Sequence, residues 1–117
     1  MSIENRIAPR YPDFARAKLE DLCPLPGFLE DVSKTGCKVR LSHVLDVDTD
    51  REYCLTVLPA LRSGIREFEL IVKPCWVRAE KDAVEIGFNV LHSPGIKQYN
   101  RYVDILAELE EEELQEA

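Results

Sequence analysis

Long apolar runs are missing from this 117-residue chain. Nothing in it approaches the roughly 20 residues that a transmembrane helix needs, and the polar Met1–Arg6 stretch lacks the apolar core of a secretory signal. The protein is therefore expected to be soluble and cytoplasmic, without membrane insertion. Close thiol pairs are missing too: Cys23, Cys37, Cys54 and Cys75 are widely spaced, with no C-x-x-C. Zinc ribbons and dithiol redox sites need that spacing, so no metal is expected, and the thiols should be reduced and packed as small hydrophobes. Histidine is scarce. His43 and His92 are the only two, and neither stands near a nucleophile motif. Cys37 alternates with Val39 and Leu41, a pattern of burial rather than reactivity, so the chain is not expected to be an enzyme. A broad basic surface is also absent. The seven acidic residues from Asp104 onward account for the whole net charge of −7, leaving residues 1–103 neutral. DNA and RNA are thereby disfavoured as partners, whereas a small anion held by a few arginines is allowed. No internal repeat is present.

Apolar residues at 45% and charged residues at 32% describe an ordinary globular chain of one domain. Residues 1–14 are polar, and Pro9 and Pro12 push Ala8 and Tyr11 towards extended backbone; the segment reads as an extended N-terminal arm. From residue 15 the pattern has period 2. Ala15, Ala17 and Leu19 alternate with charged residues, and Pro24-Leu-Pro26-Gly27 then breaks the chain. Phe28–Ser33 and Cys37–Ser42 flank a turn at Lys34-Thr35-Gly36, where glycine is expected to supply a positive φ. Tyr53, Leu55 and Val57 mark a fourth strand, Arg66–Ala79 a longer fifth, and Val84, Ile86, Phe88 and Val90 a sixth. The period then becomes helical. Ser93-Pro94 predicts a helix start with a capping hydroxyl, and Ile96, Tyr99, Val103 and Leu106 form one stripe before the chain runs into glutamates. Six strands and a helix predict a small antiparallel barrel or sandwich with the helix packed against it over 15–110, followed by an acidic tail at 111–117.

Pro74 interrupts the fifth strand. A proline inside a strand implies an edge or a bulge. A one-residue bulge would send Cys75 and Val77 inward and Trp76 outward beside Arg78; a regular strand would leave Trp76 in the core. Both readings are open on periodicity.

Two patterns carry chemistry. Arg6 and Arg10 stand four apart on the arm, about 13 Å if extended. Guanidinium groups bind phosphate bidentately, read the O6/N7 edge of guanine and stack on flat rings; two solvated arginines are the alternative. In Asp31-Val-Ser33-Lys-Thr-Gly36 the two polar side chains share a strand face about 7 Å apart. Asp31 offers only acceptors, suited to the N–H groups of a guanine edge, and Ser33 bonds in either sense. The alternative is that both merely stabilise the turn.

Together these motifs resemble the PilZ family, small bacterial domains that bind the second messenger cyclic di-GMP. RxxxR matches at Arg6 and Arg10, and D/N-x-S-x-x-G matches at Asp31, Ser33 and Gly36, with 20 residues between Arg10 and Asp31. A tryptophan-bearing strand at Cys75-Trp76-Val77, a Gly87-Phe88 strand and the C-terminal helix extend the likeness over nearly the whole chain. The family often has a further arginine before RxxxR, a position that influences whether one or two ligand molecules bind; Asn5 stands there. The family's Gly-x-x-Phe is here Gly87 followed directly by Phe88. The resemblance implies a mainly β fold, a six-stranded antiparallel barrel with a C-terminal α-helix. It further implies a cyclic di-GMP receptor using Arg6, Arg10, Asp31, Ser33, Gly36 and Trp76, whose arm folds onto the barrel when ligand arrives. An unidentified partner protein would read that change, in pathways such as motility, biofilm formation or virulence. Some PilZ-like domains instead act as protein–protein adapters without nucleotide, and these generally lack both motifs.

Overall fold

The computed structural model describes residues 15–43, 45–60 and 63–116. The strands are β1 (Arg16–Lys18), β2 (Gly27–Val32), β3 (Gly36–Leu41), β4 (Tyr53–Leu58), β5 (Phe68–Ala79) and β6 (Val84–Val90), and the helix is α1 (Ile96–Glu116). Every strand pair is antiparallel, and the order β1-β2-β3-β6-β5-β4 closes into a barrel. Three-residue β1 makes the closure by pairing with both β2 and β4. The expected six-stranded barrel with a C-terminal helix is therefore the fold, and the sandwich is excluded.

The alternating residues of the strands explain it. Val39, Leu41, Leu55, Val57, Leu70, Val72, Val84, Ile86 and Phe88 are all at most 2% exposed and form one cluster. Side chains of this size each contribute about 1.5–3 kcal/mol on burial. The helix closes the cluster with Tyr99 and Tyr102, whose rings lie 6.1 and 6.2 Å from that of Phe68. Ile96, Val103 and Leu106 pack along the same stripe. α1 continues to Glu116, so the acidic run beginning at Asp104 has helical backbone.

Ser93 departs from expectation. Its hydroxyl does not cap α1 but accepts from Ile71 N at 2.7 Å and donates to Leu91 O at 2.6 Å, tying the helix approach to β5. Gly95 N donates to Glu69 O at 2.9 Å, an approach so close that a Cβ at Gly95 would stand 2.6 Å from that oxygen.

Two strands carry bulges. In β5 the register shifts between Pro74 and Trp76, and in β2 between Leu29 and Asp31. The β5 bulge turns Trp76 outward beside Arg78, whose guanidinium carbon lies 5.9 Å from the ring centroid. Cys75 and Val77, which the bulge reading sends inward, are instead exposed: Cys75 is the extra, unpaired residue, and β4 ends opposite Val72, leaving the far end of β5 without a strand from β4 beside it. Thus only Cys23 and Cys37 of the four thiols are buried, while Cys54 and Cys75 are exposed. No described helix is long and apolar enough to cross a membrane. The arm residues 1–14, with Arg6 and Arg10, lie outside the described residues.

Candidate functional site

The outer face of β2, β3, β6 and β5 is arranged in rows of paired residues. The middle row runs Asp31, Lys38, Gly87, Trp76. Beside it lie Phe28, Arg40, Glu85 and Arg78 on one side and Gly36, Asn89 and Lys73 on the other. The two bulges produce the middle row. In a regular strand Asp31 would share the face of buried Leu29, and Trp76 would share that of buried Val72. One extra residue in each strand, Glu30 and Cys75, reverses that phase, bringing the carboxylate and the indole to opposite ends of a row whose centre is the Lys38–Gly87 pair.

A cleft of about 530 Å³ opens over this row. Asp31, Ser33, Gly36 and Trp76 all line it, so four of the six expected site residues meet on one surface; Arg6 and Arg10 lie outside the described residues. The cleft exists partly because glycine stands at two outward positions. The Trp76 indole lies against Gly87, where any Cβ would overlap the indole nitrogen and the two ring carbons bonded to it. A Cβ on Gly36 would sit 2.7 Å from Phe88 O. Close approach to β6, not backbone handedness, requires that glycine: the expected positive φ is absent there, and Gly64 is the one described glycine that has it.

The turn itself is held tightly. Ser33 N donates to Gly36 O at 2.9 Å and Gly36 N to Ser33 Oγ at 3.3 Å, so the serine does stabilise the turn. From beneath, the buried Tyr99 hydroxyl lies 2.7 Å from Ser33 O and 2.8 Å from Gly36 O. Its burial, before any other cause, pushes the phenol well above its usual range.

Charge is distributed unevenly across the face. Asp31 is half-exposed and pairs with Lys38 at 3.1 Å. Arg40 reaches Glu80 at 2.9 Å and Glu85 at 3.1 Å, and Arg78 also bonds Glu85. Glu85 is 5% exposed. Burial works to raise its pKa, yet hydrogen bonds from Arg78 and Glu30 and the charges of Lys38 and Arg78 bring it below the ordinary carboxylate value. Glu30 moves the other way, through burial and then its contact with Glu85. Its Oε1 is buried and takes no hydrogen bond among the described residues.

Sequence reasoning did not assign Lys38, Cys75, Arg78 and Asn89 to the cleft, all of which line it. Alternation marks Lys38 as outward, but its partnership with Asp31 depends on the β2 bulge, for which the local sequence carries no proline or glycine signal. No group of three or more metal-ligating side chains occurs among the described residues. Compared with known proteins, the chain matches no family model and no curated protein.

Proposed function

We propose that this chain is a PilZ-like receptor for cyclic di-GMP, non-catalytic, that changes conformation on binding and signals to a partner protein. The convergence of Asp31, Ser33, Gly36 and Trp76 on one open cleft carries the reading. Its volume lies within the few hundred to roughly 1,000 Å³ that small-molecule sites occupy. The half-exposed carboxylate of Asp31 faces the guanine N–H edge, and the exposed ring of Trp76 offers a stacking surface at the other end.

Arg6 and Arg10 of the arm would supply the cations. Leu29 N donates to Ala15 O at 3.1 Å, so the N-terminal segment joins the barrel beside the strand that carries Asp31. Five residues on from Arg10, that junction allows the arginine an extended reach of at most about 18 Å. Arg6 and Arg10 then clamp phosphate and a guanine Hoogsteen edge, closing the arm over the ligand, and a partner reads the altered arm-and-barrel surface.

Calorimetric titration with cyclic di-GMP, against GTP and cyclic di-AMP as competitors, tests the reading. Selective binding is expected, and Arg10→Ala should weaken it by about 1–3 kcal/mol, the size of one bidentate guanine contact. Absence of binding to the wild-type chain would leave the adapter as the better account.

A further inference from the structure

Resting on that reading, we propose that Lys38 is a positioning residue of the nucleotide site, acting through Asp31. The β2 bulge sets Glu30 and Asp31 consecutively opposite one residue of β3, so both carboxylates turn towards the Lys38 ammonium, at 3.7 and 3.1 Å. The lysine side chain is only 25% exposed and Asp31 is 50% exposed, so the ammonium grips the carboxylate from the wall while the remaining lone pairs face the cleft. Burial lowers the tendency of Lys38 to hold a proton, but the hydrogen bond to Asp31 and the charges of Asp31, Glu85 and Glu30 outweigh it and keep the group charged.

Arg78, the other described cation lining the cleft, bonds Glu85 and approaches Glu80 at 3.9 Å. Asp31 therefore owes its placement to Lys38. Without the ammonium the carboxylate would stand beside Glu30 with like charge and no other described cation paired to it, and the guanine N–H groups would meet a mobile acceptor. Lys38 also offsets local negative charge that a dianionic ligand would otherwise meet. It does both without needing to touch the base.

A double-mutant cycle in the full chain separates this from a merely structural role. Lys38→Met should weaken cyclic di-GMP binding about tenfold, a loss within the usual range for contacting pairs, and Lys38→Arg should keep affinity within about threefold because the charge is retained. In an Asp31→Asn background, where no carboxylate remains to be oriented, Lys38→Met should cost less than about threefold. Lys38→Gln, carried in parallel, should follow Lys38→Met and replaces it if that variant does not fold. Unchanged affinity for Lys38→Met, or the same tenfold loss in both backgrounds, overturns the inference while leaving the receptor reading intact. A wild-type chain that takes up no cyclic di-GMP overturns both.

Discussion

Two glycines and one tryptophan decide the shape of the cleft. Gly87 lets the Trp76 indole lie close against the sheet, and the space a Cβ would occupy is already taken by the ring. Gly87→Ala should therefore lift the indole into water. Because Trp76 is the sole tryptophan, the shift reads directly in intrinsic fluorescence: the emission maximum should move to the red, and urea unfolding should show a loss of about 1–3 kcal/mol, typical of overpacking. An unchanged emission spectrum would contradict the close approach of the indole to Gly87. Gly36 marks the limit of reading residue by residue. Its place in a turn is visible in the sequence, but the carbonyl it must avoid belongs to Phe88, 52 positions away.

At the scale of elements, α1 and the β2–β3 turn are joined through Tyr99. Its hydroxyl holds the carbonyls of Ser33 and Gly36, the residues that border the cleft. The exposed Lys34–Asp104 pair at 3.1 Å adds a second link, worth well under about 1 kcal/mol as solvated ion pairs usually are. Tyr99→Phe keeps the ring packed on Phe68 and deletes only the hydroxyl. It should cost about 0.5–1.5 kcal/mol in urea denaturation and speed amide exchange at the turn more than in β4; uniform exchange rates across both would show that Tyr99 does not hold the turn. The helix stripe was readable because 3.6-residue spacing is local. The role of Ser93 was not: a hydroxyl before Pro94 looks like a cap in one dimension, and only the fold brings Ile71 N close enough to donate to it.

For the whole molecule, the ion-paired patch on the barrel's outer face sets a pH dependence. Glu85 has a lowered pKa in the fold, so the stability it contributes is present above the ordinary carboxylate value of 4.5 and is lost as pH falls through its folded value. Glu30 is raised, so its contribution is present below 4.5 and fades as pH rises through its folded value. The two carboxyl groups thus act in opposite senses on either side of 4.5. Chemical denaturation across pH 3–7 should show a shallower acid-side loss in Glu85→Gln than in wild type. Glu30→Gln should remove the decline on the neutral side of 4.5, and parallel profiles for all three proteins would refute the assignment.

How much was legible follows from the range of each interaction. The six strands, the helix and the turn motif rest on periodicity and turn chemistry within a few residues, and the sequence alone determines them. Pro74 marks an edge or a bulge, because proline lacks the donor a regular strand requires, and only the pairing with β6 decides for the bulge. Barrel closure, the second bulge at Glu30, the exposure of Cys75 and Val77, and the grip of Lys38 on Asp31 belong to tertiary structure. Each depends on which strand lies alongside and where that strand stops, and a one-residue change of register moves a side chain from the core to the cleft.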